Sequence, residues 1–438
     1  MILTRTRAFL LNLVGLIVGK GGVVIAGLAL VPLLISAGGV QAYGMWAACG
    51  QLLAYTAALD LGLGVGLQNL VSHAVSEEQR RRVAAAAGWG LVVLAVISVC
   101  LIAIMITTQW LAPTIIDGLF GPGGNEGLNG RAMVALVVVA VAITLLAQIP
   151  VRLVAGFQLQ GRASLVQGGV ALLAIGAIPL AAAWGFPLTV GLALAIVPPI
   201  LAPAFWAWWR LSQADLQWAR PTLVGDRTSL FPVFRAGLML FVSQIAALIV
   251  FQTDVILVSI TNGPIEAARF ATCARLLSIP ILVQGIILAA LWPALAQAHA
   301  QGDHRWIARS YRKMVKVTLG IILPLSLVLA LAAQWIILRW SGAAEAVPER
   351  GLVCAYFIFS LTALWANIHA QCLNASGKLM LPAMVALIQA AMNLVAVLVA
   401  VRFWGAEGVA WASAACAIVT SVIILPIAWN RHLSRQQQ

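Results

Sequence analysis

Apolar runs of about 20 residues recur along the whole chain, and short polar segments separate them. A run of this length can cross a bilayer, where the backbone satisfies its own hydrogen bonds by forming a helix. The pattern therefore predicts an all-α polytopic membrane protein with about twelve transmembrane helices. These helices are expected over residues 8–36, 40–70, 83–108, 131–157, 163–183, 188–209, 235–262, 268–297, 311–339, 350–375, 379–402 and 406–429.

The longest polar interruption, residues 210–235, divides the predicted helices into two sets of six. We therefore expect an N-terminal lobe over residues 1–215, a cytoplasmic linker over 216–234 and a C-terminal lobe over 235–438. The composition agrees with a membrane protein, because 62% of the residues are hydrophobic and only 9% are charged. In a soluble domain, about a quarter of the residues are usually charged.

The basic residues are distributed unevenly between the two sides of the predicted membrane. One alternate set of loops holds eighteen of the 26 Lys and Arg residues, whereas the opposite set holds five. Because basic loops remain in the cytoplasm, both termini are expected there, in a bacterial inner membrane. The same asymmetry explains the net charge of +13 without a nucleic-acid-binding domain. The eighteen residues are Arg5, Arg7, Arg80, Arg81, Arg82, Arg162, Arg210, Arg220, Arg227, Arg235, Arg305, Arg309, Arg312, Lys313, Lys316, Lys378, Arg431 and Arg435.

Two pairs of short segments indicate that the halves are an internal repeat. SHAVSEEQRRR, which contains His73, has the same place in the first half as QAHAQGDHR, which contains His299, in the second. LQGRASL, which contains Arg162, similarly matches NASGKLM, which contains Lys378. Since each half has an even number of helices, both halves have the same orientation. This predicts two lobes related by a pseudo-two-fold axis along the membrane normal, with a central cavity between them.

Three longer segments carry the signature of a family. Residues 42–76 read AYGMWAACGQLLAYTAALDLGLGVGLQNLVSHAVS, residues 251–280 read FQTDVILVSITNGPIEAARFATCARLLSIP, and residues 375–414 read ASGKLMLPAMVALIQAAMNLVAVLVAVRFWGAEGVAWASA. They resemble the helix 2, helix 7–8 and helix 11–12 regions of polysaccharide-biosynthesis flippases. These flippases are the Wzx-like branch of the multidrug/oligosaccharidyl-lipid/polysaccharide (MOP) exporter superfamily. The resemblance spans nearly the whole chain.

This resemblance implies a two-lobed, MATE-like fold that works by alternating access. The usual cargo is an undecaprenyl-pyrophosphate-linked oligosaccharide, which moves from the cytoplasmic to the periplasmic leaflet. Such a cargo is the repeat unit of an O-antigen, a capsule or an exopolysaccharide. Expected partners are this substrate, membrane lipid, and the polymerase and chain-length regulator of the same pathway.

Five charged residues interrupt the apolar parts of the predicted spans, apart from the charged residues near the span ends, namely Lys20, Asp60, Arg152, Asp254 and Arg275. An ionised side chain at the centre of a membrane costs at least about 2.5–3.5 kcal/mol, so it usually faces a cavity or a partner. Lys20, Arg275 and Arg152 are therefore candidates for binding an anionic headgroup. The alternatives are that Lys20 pairs with Asp60, that Arg275 pairs with Asp254, or that Arg152 extends to the interface.

Other polar residues are candidates for ion coupling or for the route of the sugar. Asp60 and Asp254 are each either a binding site for a coupling H⁺ or Na⁺, or structural residues. Asn367, Gln371 and Asn374 share one face of helix 10, where they either line the sugar route or form interhelical hydrogen bonds. No cofactor is expected. No metal site is expected either, because the six cysteines lie within apolar runs without a Cys-x-x-Cys pair.

Other functions are less consistent with these residues. A membrane-embedded polymerase or ligase needs reactive groups outside the membrane, and the longest exterior loop, about 109–130, offers only Asp117 and Glu126 as acids. A drug/cation antiporter would favour acidic cavity residues, whereas the spans contain three cations and two acids. A scaffold role in an assembly complex is a further alternative. The sequence therefore favours a transporter over an enzyme.

Overall fold

A computed structural model of the protein describes residues 2–74, 76–111, 130–224, 230–378 and 380–437. Within these ranges the regular structure is helical throughout, as the apolar pattern predicts. Most of the predicted exterior loop, with Asp117 and Glu126, lies outside the described residues.

The helices are numbered here in chain order. Those of the first half are α1 (Ile2–Gly50), α2 (Thr56–Leu59), α3 (Leu63–His73), α4 (Glu77–Leu111), α5 (Gly130–Gly156), α6 (Gln160–Ala174), α7 (Ala177–Ala183) and α8 (Leu188–Leu211). Those of the second half are α9 (Leu230–Asn262), α10 (Pro264–Leu277), α11 (Ile279–Ala300), α12 (His304–Val317), α13 (Leu323–Leu331), α14 (Ala333–Ser341), α15 (Arg350–Ala375), α16 (Met380–Ala417) and α17 (Ile423–Gln437). Short π-helical turns, Thr318–Ile322 and Ile418–Val422, connect α12 to α13 and α16 to α17.

The number of membrane spans agrees with the prediction. In the described part of the chain, nine helices are long and apolar enough to cross a membrane, or ten if the bent pair α10 and α11 forms one span. Two of the nine, Asn12–Tyr55 and Met380–His432, each contain a glycine with a non-helical backbone. At Gly39 and Gly405, two helices are joined across a kink. With both divided at their glycines, α2 and α3 added to the second span, and α10 and α11 taken as one, the described helices form twelve spans.

Turns with a positive φ recur at corresponding places in the two halves. Gly39, between the first two spans, has φ 78° and ψ 175°, and Gly263, between the seventh and eighth, has φ 91° and ψ 171°. The turns after the fourth and tenth spans contain Gln158 and Gly377, with φ 60° and 76°. Glycine suits such turns because it has no Cβ to clash. The recurrence agrees with the internal repeat that the sequence indicates.

The contacts divide the chain into two compact units, Met1–Phe241 and Val242–Gln438. In the first unit, α1 and α6 approach each other at backbone distance. A Cβ on Gly19 would lie 2.2 Å from the backbone of Ser164, and one on Gly168 would lie 2.3 Å from the carbonyl oxygen of Gly19. Small residues at these positions are what permit such close packing of membrane helices.

The beginning of the predicted linker is packed against the first unit. The backbone N–H of Thr222 donates to the Ala84 carbonyl at 3.0 Å, and Gly88 leaves room for the Thr222 backbone. The Trp218 ring lies 5.1 Å below the Arg80 guanidinium, in a cation–π contact. Residues 216–224 are therefore anchored on α4.

The core of the second unit is built around α15. More than half of its apolar stretch is buried, namely 56%, the largest share of any described span. At one end of this unit, Leu373 of α15 packs with Leu295, Ile307 and Trp429, all of them buried. This cluster joins α11, α12, α15, α16 and α17 at that end of the unit.

Candidate functional site

Asp60 lies at a break in the second span. The helix stops after α2, and α3 begins at Leu63, because Leu61 (φ 53°) and Gly62 (φ 76°) adopt the left-handed conformation. The Asp60 side chain is 3% exposed, and its Oδ1 accepts the Gly62 N–H at 2.7 Å. The carboxylate therefore satisfies a backbone donor that the helical break leaves open.

Arg152 of α5 is the cation that balances Asp60. A Cβ on Gly64 would lie 2.8 Å from Asp60 Oδ2 and 3.0 Å from Arg152 Nε, so the two charged groups flank this glycine. Because the two groups carry opposite charges and lie close together, Arg152 offsets part of the charge of Asp60. The structure thus brings together two predicted site residues in a combination that the sequence did not indicate.

Lys20 lies apart from this pair on the exposed side of α1. Its neighbours Gly19 and Gly22 are buried against α6, where Ser164 and Gly168 meet them. The tight glycine contact fixes the rotation of α1 about its axis. The lysine side chain consequently points away from the interface between α1 and α6.

Asp254 of α9 is as deeply buried as Asp60 but is held differently. It is 4% exposed, and its Oδ2 accepts the Ser413 hydroxyl of α16 at 3.1 Å. Its Oδ1 is buried and has no hydrogen-bond partner among the described residues. Tyr356 of α15 is a buried neighbour of this carboxyl group, and its ring stacks edge-on against Phe270 at 5.7 Å.

Arg275 lies in the last turn of α10 and is half-buried. The chain bends by 40° between α10 and α11, at Ser278. The Ser278 hydroxyl donates to the Arg275 carbonyl at 3.1 Å, which satisfies one acceptor left open at the helix end. Arg275 therefore lies close to a bend within the eighth span.

Two of the three predicted sugar-route residues have geometry that bears on their role. Asn367 lines a cavity of about 170 Å³ between α9, α15 and α16. Gln371, one turn further along α15, has a buried Oε1 without a hydrogen-bond partner among the described residues. Asn374 is half-buried near the end of the same helix. The three amides lie on α15, Asn367 lines a cavity, and their place on a sugar route stays a prediction.

His369, which lies between these amides in sequence, is a structural residue. It is fully buried, and its Nδ1–H donates to the Trp365 carbonyl at 2.8 Å. The Tyr311 hydroxyl is 3.0 Å from Nε2 and donates to it, since Nδ1 carries the ring proton. Both ring nitrogens are satisfied within the core of the second unit.

The sequence analysis missed the polar partners on α16 and the π-helical turn that follows it. Ser413 binds Asp254, and Gln389 lines the same cavity as Asn367. Gln389 Oε1 accepts the hydroxyl groups of Thr420, at 3.3 Å, and Ser421. Ser413 and Gln389 are polar residues within an apolar run, and this signal could have identified them. The same signal identified the amides of helix 10.

The candidates fall into two groups. Lys20, Asp60 and Arg152 belong to the first unit. Arg275, Asp254 and the amides of α15 belong to the second. Among the described residues, no group of three or more His, Cys, Asp or Glu side chains could hold a metal ion.

The chain was compared with protein families, with curated proteins and with solved structures. Residues 131–344 match the model of a family described as polysaccharide biosynthesis protein. No curated protein matches the chain. Several solved structures are similar over nearly its whole length.

One of these is the inward-facing conformation of a multidrug resistance MATE family transporter of the MOP superfamily, with 15% identity, a TM-score of 0.75 and 95% of each chain covered. A second is a MOP superfamily transporter from Pyrococcus furiosus Vc1 (DSM3638), with 14% identity, a TM-score of 0.67, and 98% of this chain and 96% of that chain covered. A third is a MATE protein in complex with MaL6, with 16% identity, a TM-score of 0.66 and the same coverage. The protein is therefore a multi-pass membrane protein with the fold of the MOP-superfamily transporters, and its residues 131–344 match the polysaccharide biosynthesis family.

Proposed function

We propose that the protein is a flippase that moves an undecaprenyl-pyrophosphate-linked oligosaccharide from the cytoplasmic to the periplasmic leaflet by alternating access. One observation carries the proposal: a MOP transporter fold and a polysaccharide-biosynthesis match occur in the same chain. The lipid-linked repeat unit of an O-antigen, a capsule or an exopolysaccharide has to cross a membrane, and transport needs no catalytic step by the protein. The polymerase and chain-length regulator of the pathway are then its proposed partners.

Basic residues within the spans receive the headgroup in this proposal. A pyrophosphate that leaves water needs cations and hydrogen-bond donors in its place. Arg275 is suited to this role because a guanidinium stays ionised and grips phosphate oxygens in a bidentate fork. Lys20 is exposed within an apolar span and supplies a second charge. Arg152 contributes less, since it faces the Asp60 carboxylate.

Asp254 is our candidate for the coupling ion, either H⁺ or Na⁺. A buried carboxylate whose donor is a neutral hydroxyl needs a proton or a cation to offset the loss of hydration. One of its oxygens also has no hydrogen-bond partner among the described residues. We assign Asp60 a structural role, because Gly62 and Arg152 already satisfy it.

The likeness to multidrug MATE transporters favours a second candidate function, a drug/cation antiporter. The fold alone does not decide between the two, because one similar transporter is described by a binding pocket of reversed polarity that suggests a different function. The three cations and two acids within the spans favour an anionic cargo. We therefore rank the flippase first.

The proposed orientation places both termini in the cytoplasm of a bacterium, with the protein in the inner membrane. In a variant without native cysteines, single cysteines at positions 80–82 or 220–227 should resist a membrane-impermeant thiol reagent in intact cells. A single cysteine near residue 125 should react. The reverse pattern would overturn the orientation.

Deletion of the gene tests the function in cells that have no other flippase for the same cargo. Short lipid-linked repeat units should accumulate in the cytoplasmic leaflet, and the surface polymer should disappear. If repeat units still reach the periplasm while long chains are lost, the protein is a polymerase and the flippase proposal is wrong. If the polymer is unchanged and drug resistance falls, the antiporter is favoured.

A further inference from the structure

The exposed face of α12 is entirely cationic. In this helix, every described residue that is exposed to solvent is a lysine or an arginine. Spacings of three and four residues align them along one side. The members of this cationic stripe are Arg305, Arg309, Arg312, Lys313 and Lys316.

The core of the second unit fixes the direction in which the cationic stripe points. Ile307 and Met314, on the opposite side of α12, are 1% and 5% exposed and pack into core clusters of that unit. Tyr311 on the same side bonds to His369. Rotation of α12 would therefore break buried contacts.

Acidic residues neutralise basic clusters of the first unit but not the cationic stripe. Arg82 pairs with Glu78 at 2.5 Å, and Arg210 pairs with Asp215 at 2.6 Å. Among the described residues, no ion pair joins a carboxylate to a member of the cationic stripe. Asp303, which precedes the stripe, instead caps α12 by accepting a backbone N–H at 2.9 Å. The stripe has charge available for an external anion.

A change in the exposed residues along the same helix marks the membrane surface. The helix runs without interruption over Arg305–Leu331. Its exposed residues are cationic up to Lys316, whereas from Leu319 onward they are apolar, as Ile321 (65% exposed) and Leu331 (80%) illustrate. The boundary of the hydrocarbon region therefore lies between Lys316 and Leu319.

The cationic stripe extends further than the phospholipid headgroups. At 1.5 Å per residue, Arg305 stands about 16 Å beyond Lys316 along the helix. The headgroup layer on one side of a bilayer is only about 5–8 Å thick. Lys313 and Lys316 are thus at headgroup depth, while Arg305, Arg309 and most of Arg312 project beyond it. Phospholipid phosphates would reach the lysines and leave the arginines without a partner.

We infer that the cationic stripe receives the headgroup of an acidic lipid-linked oligosaccharide on the side of the membrane that carries the basic loops. Lys313 and Lys316 engage the pyrophosphate, and the three arginines engage carboxylate or phosphate groups on the sugars. The residue types fit these roles, because lysine is a point charge for phosphate and arginine binds carboxylate in a bidentate fork. The inference rests on the proposed function and adds the substrate class, which is anionic rather than neutral.

Binding of soluble saccharides to the purified full-length protein in phosphatidylcholine nanodiscs tests the arginines. Tetragalacturonate is the acidic probe, and maltotetraose is the neutral control of equal length. Tetragalacturonate should bind, more weakly at higher salt, and maltotetraose should not. The combined variant Arg305→Gln, Arg309→Gln and Arg312→Gln should weaken tetragalacturonate binding by about tenfold or more.

A matched variant in the first unit controls for total charge. Arg80→Gln, Arg81→Gln and Arg82→Gln remove the same number of charges and should leave the affinity for tetragalacturonate unchanged. Equal binding of the two saccharides, or unchanged affinity in the α12 variant, would overturn the inference.

A further arm uses phosphatidylglycerol nanodiscs. If the α12 variant binds tetragalacturonate like the wild type but binds less phosphatidylglycerol in these discs, the occupant is bilayer phospholipid. The inference is then wrong.

Transport in proteoliposomes separates this inference from the proposed function. The wild type should move an acidic lipid-linked oligosaccharide faster than a neutral one, and the α12 variant should slow only the acidic cargo. If the wild type moves neither cargo, the proposed function fails, whatever the cationic stripe binds. If the wild type and the variant move both cargoes at the same rates, the stripe inference fails and the flippase stands.

Discussion

The two units bury an acid each but satisfy it in opposite ways. Asp60, in the first unit, accepts a backbone N–H at 2.7 Å and faces Arg152. Asp254, in the second, receives one neutral hydroxyl at 3.1 Å, and its Oδ1 has no partner among the described residues. The negative charge of Asp60 has a nearby cation in the protein. Asp254, in contrast, keeps one oxygen without a hydrogen-bond partner among the described residues.

Other polar groups extend this contrast. In the second unit, Gln284, Gln371 and Asn393 all bury side-chain atoms that have no hydrogen bond among the described residues. In the first unit, Gln148 has one such atom. Buried polar groups are nearly always satisfied by protein, water or a ligand. Under the proposed function, this difference favours the second unit as the one that binds the coupling ion, and the predictions below test that contrast.

The largest effect is expected at Arg275. Arg275→Ala should abolish flipping while protein level and insertion remain normal, because the pyrophosphate loses its bidentate donor. Arg275→Lys should keep part of the activity, since the charge remains but the fork is lost. The measurement is transport of lipid-linked oligosaccharide into proteoliposomes, together with membrane abundance.

Two controls show whether Arg275 acts on the headgroup. Lys20→Ala should reduce transport per folded molecule more than Arg152→Ala, because Lys20 is not engaged by Asp60. The double variant Arg275→Ala with Asp254→Ala tests the idea that Arg275 only neutralises an acid. Recovery of wild-type transport in the double variant would refute the headgroup role.

The second prediction compares the two acids directly. Asp254→Asn should reduce ion-gradient-driven flipping roughly tenfold or more, because the coupling ion loses its charged ligand. Asp60→Asn should lower thermal stability more than transport per folded molecule. Initial rates under an imposed H⁺ or Na⁺ gradient, normalised to folded protein, make the comparison. If the Asp254 variant keeps its dependence on the gradient, the contrast between the units has no functional meaning.

The third prediction concerns the charge balance of the first unit. Arg152→Ala should destabilise the purified protein by about 1–3 kcal/mol, because a buried carboxylate is left without its cation. This loss of stability is smaller than the loss expected for a fully buried ion pair, because Arg152 is only half-buried. Adding Asp60→Asn should restore most of the loss, which thermal denaturation in detergent can measure. A double variant no more stable than Arg152→Ala would contradict the pairing.

The smallest effect is expected at a surface acid. The Arg210 guanidinium donates to Asp215 at 2.8 and 2.6 Å and lowers the pKa of this exposed carboxyl group. A lowered folded-state pKa adds stability above the unfolded value of about 3.9, which is lost as pH falls through the folded-state pKa. Because the pair is exposed, Asp215→Asn should cause no detectable change in melting temperature between pH 6 and pH 8. A clear destabilisation would mean that the pair holds the segment between α8 and the linker in place.

The sequence was sufficient for the helical architecture because apolar length is a local property. All twelve predicted spans correspond to described helices, although the second breaks at Asp60 and Leu61 in a way that hydropathy does not register. At Gly39 and Gly405 the turns are so short that the helices on either side follow each other without a gap. The break and the turns depend on backbone conformation at single residues.

The partners of the charged residues could not be predicted to the same extent. Sequence reasoning found Lys20, Asp60, Arg152, Asp254 and Arg275, since each one interrupts an apolar run. It offered Lys20 as the partner of Asp60, whereas the rotation of α5 brings Arg152 to that position. The Asp254–Ser413 contact joins residues 159 positions apart, so only tertiary packing determines it. The roles of Lys20 and Arg275 stay predictions.

Movement of a lipid-linked oligosaccharide across a defined bilayer tests the central claim most directly. The purified protein is reconstituted into sealed liposomes that contain a pyrophosphate-linked oligosaccharide with a labelled sugar. A membrane-impermeant glycosidase outside then measures how much of the label is accessible. With the wild type, digestion should proceed beyond the outer-leaflet half toward completion, and with Arg275→Ala it should stop near half. Digestion that stops near half with active, correctly folded wild-type protein would contradict the account.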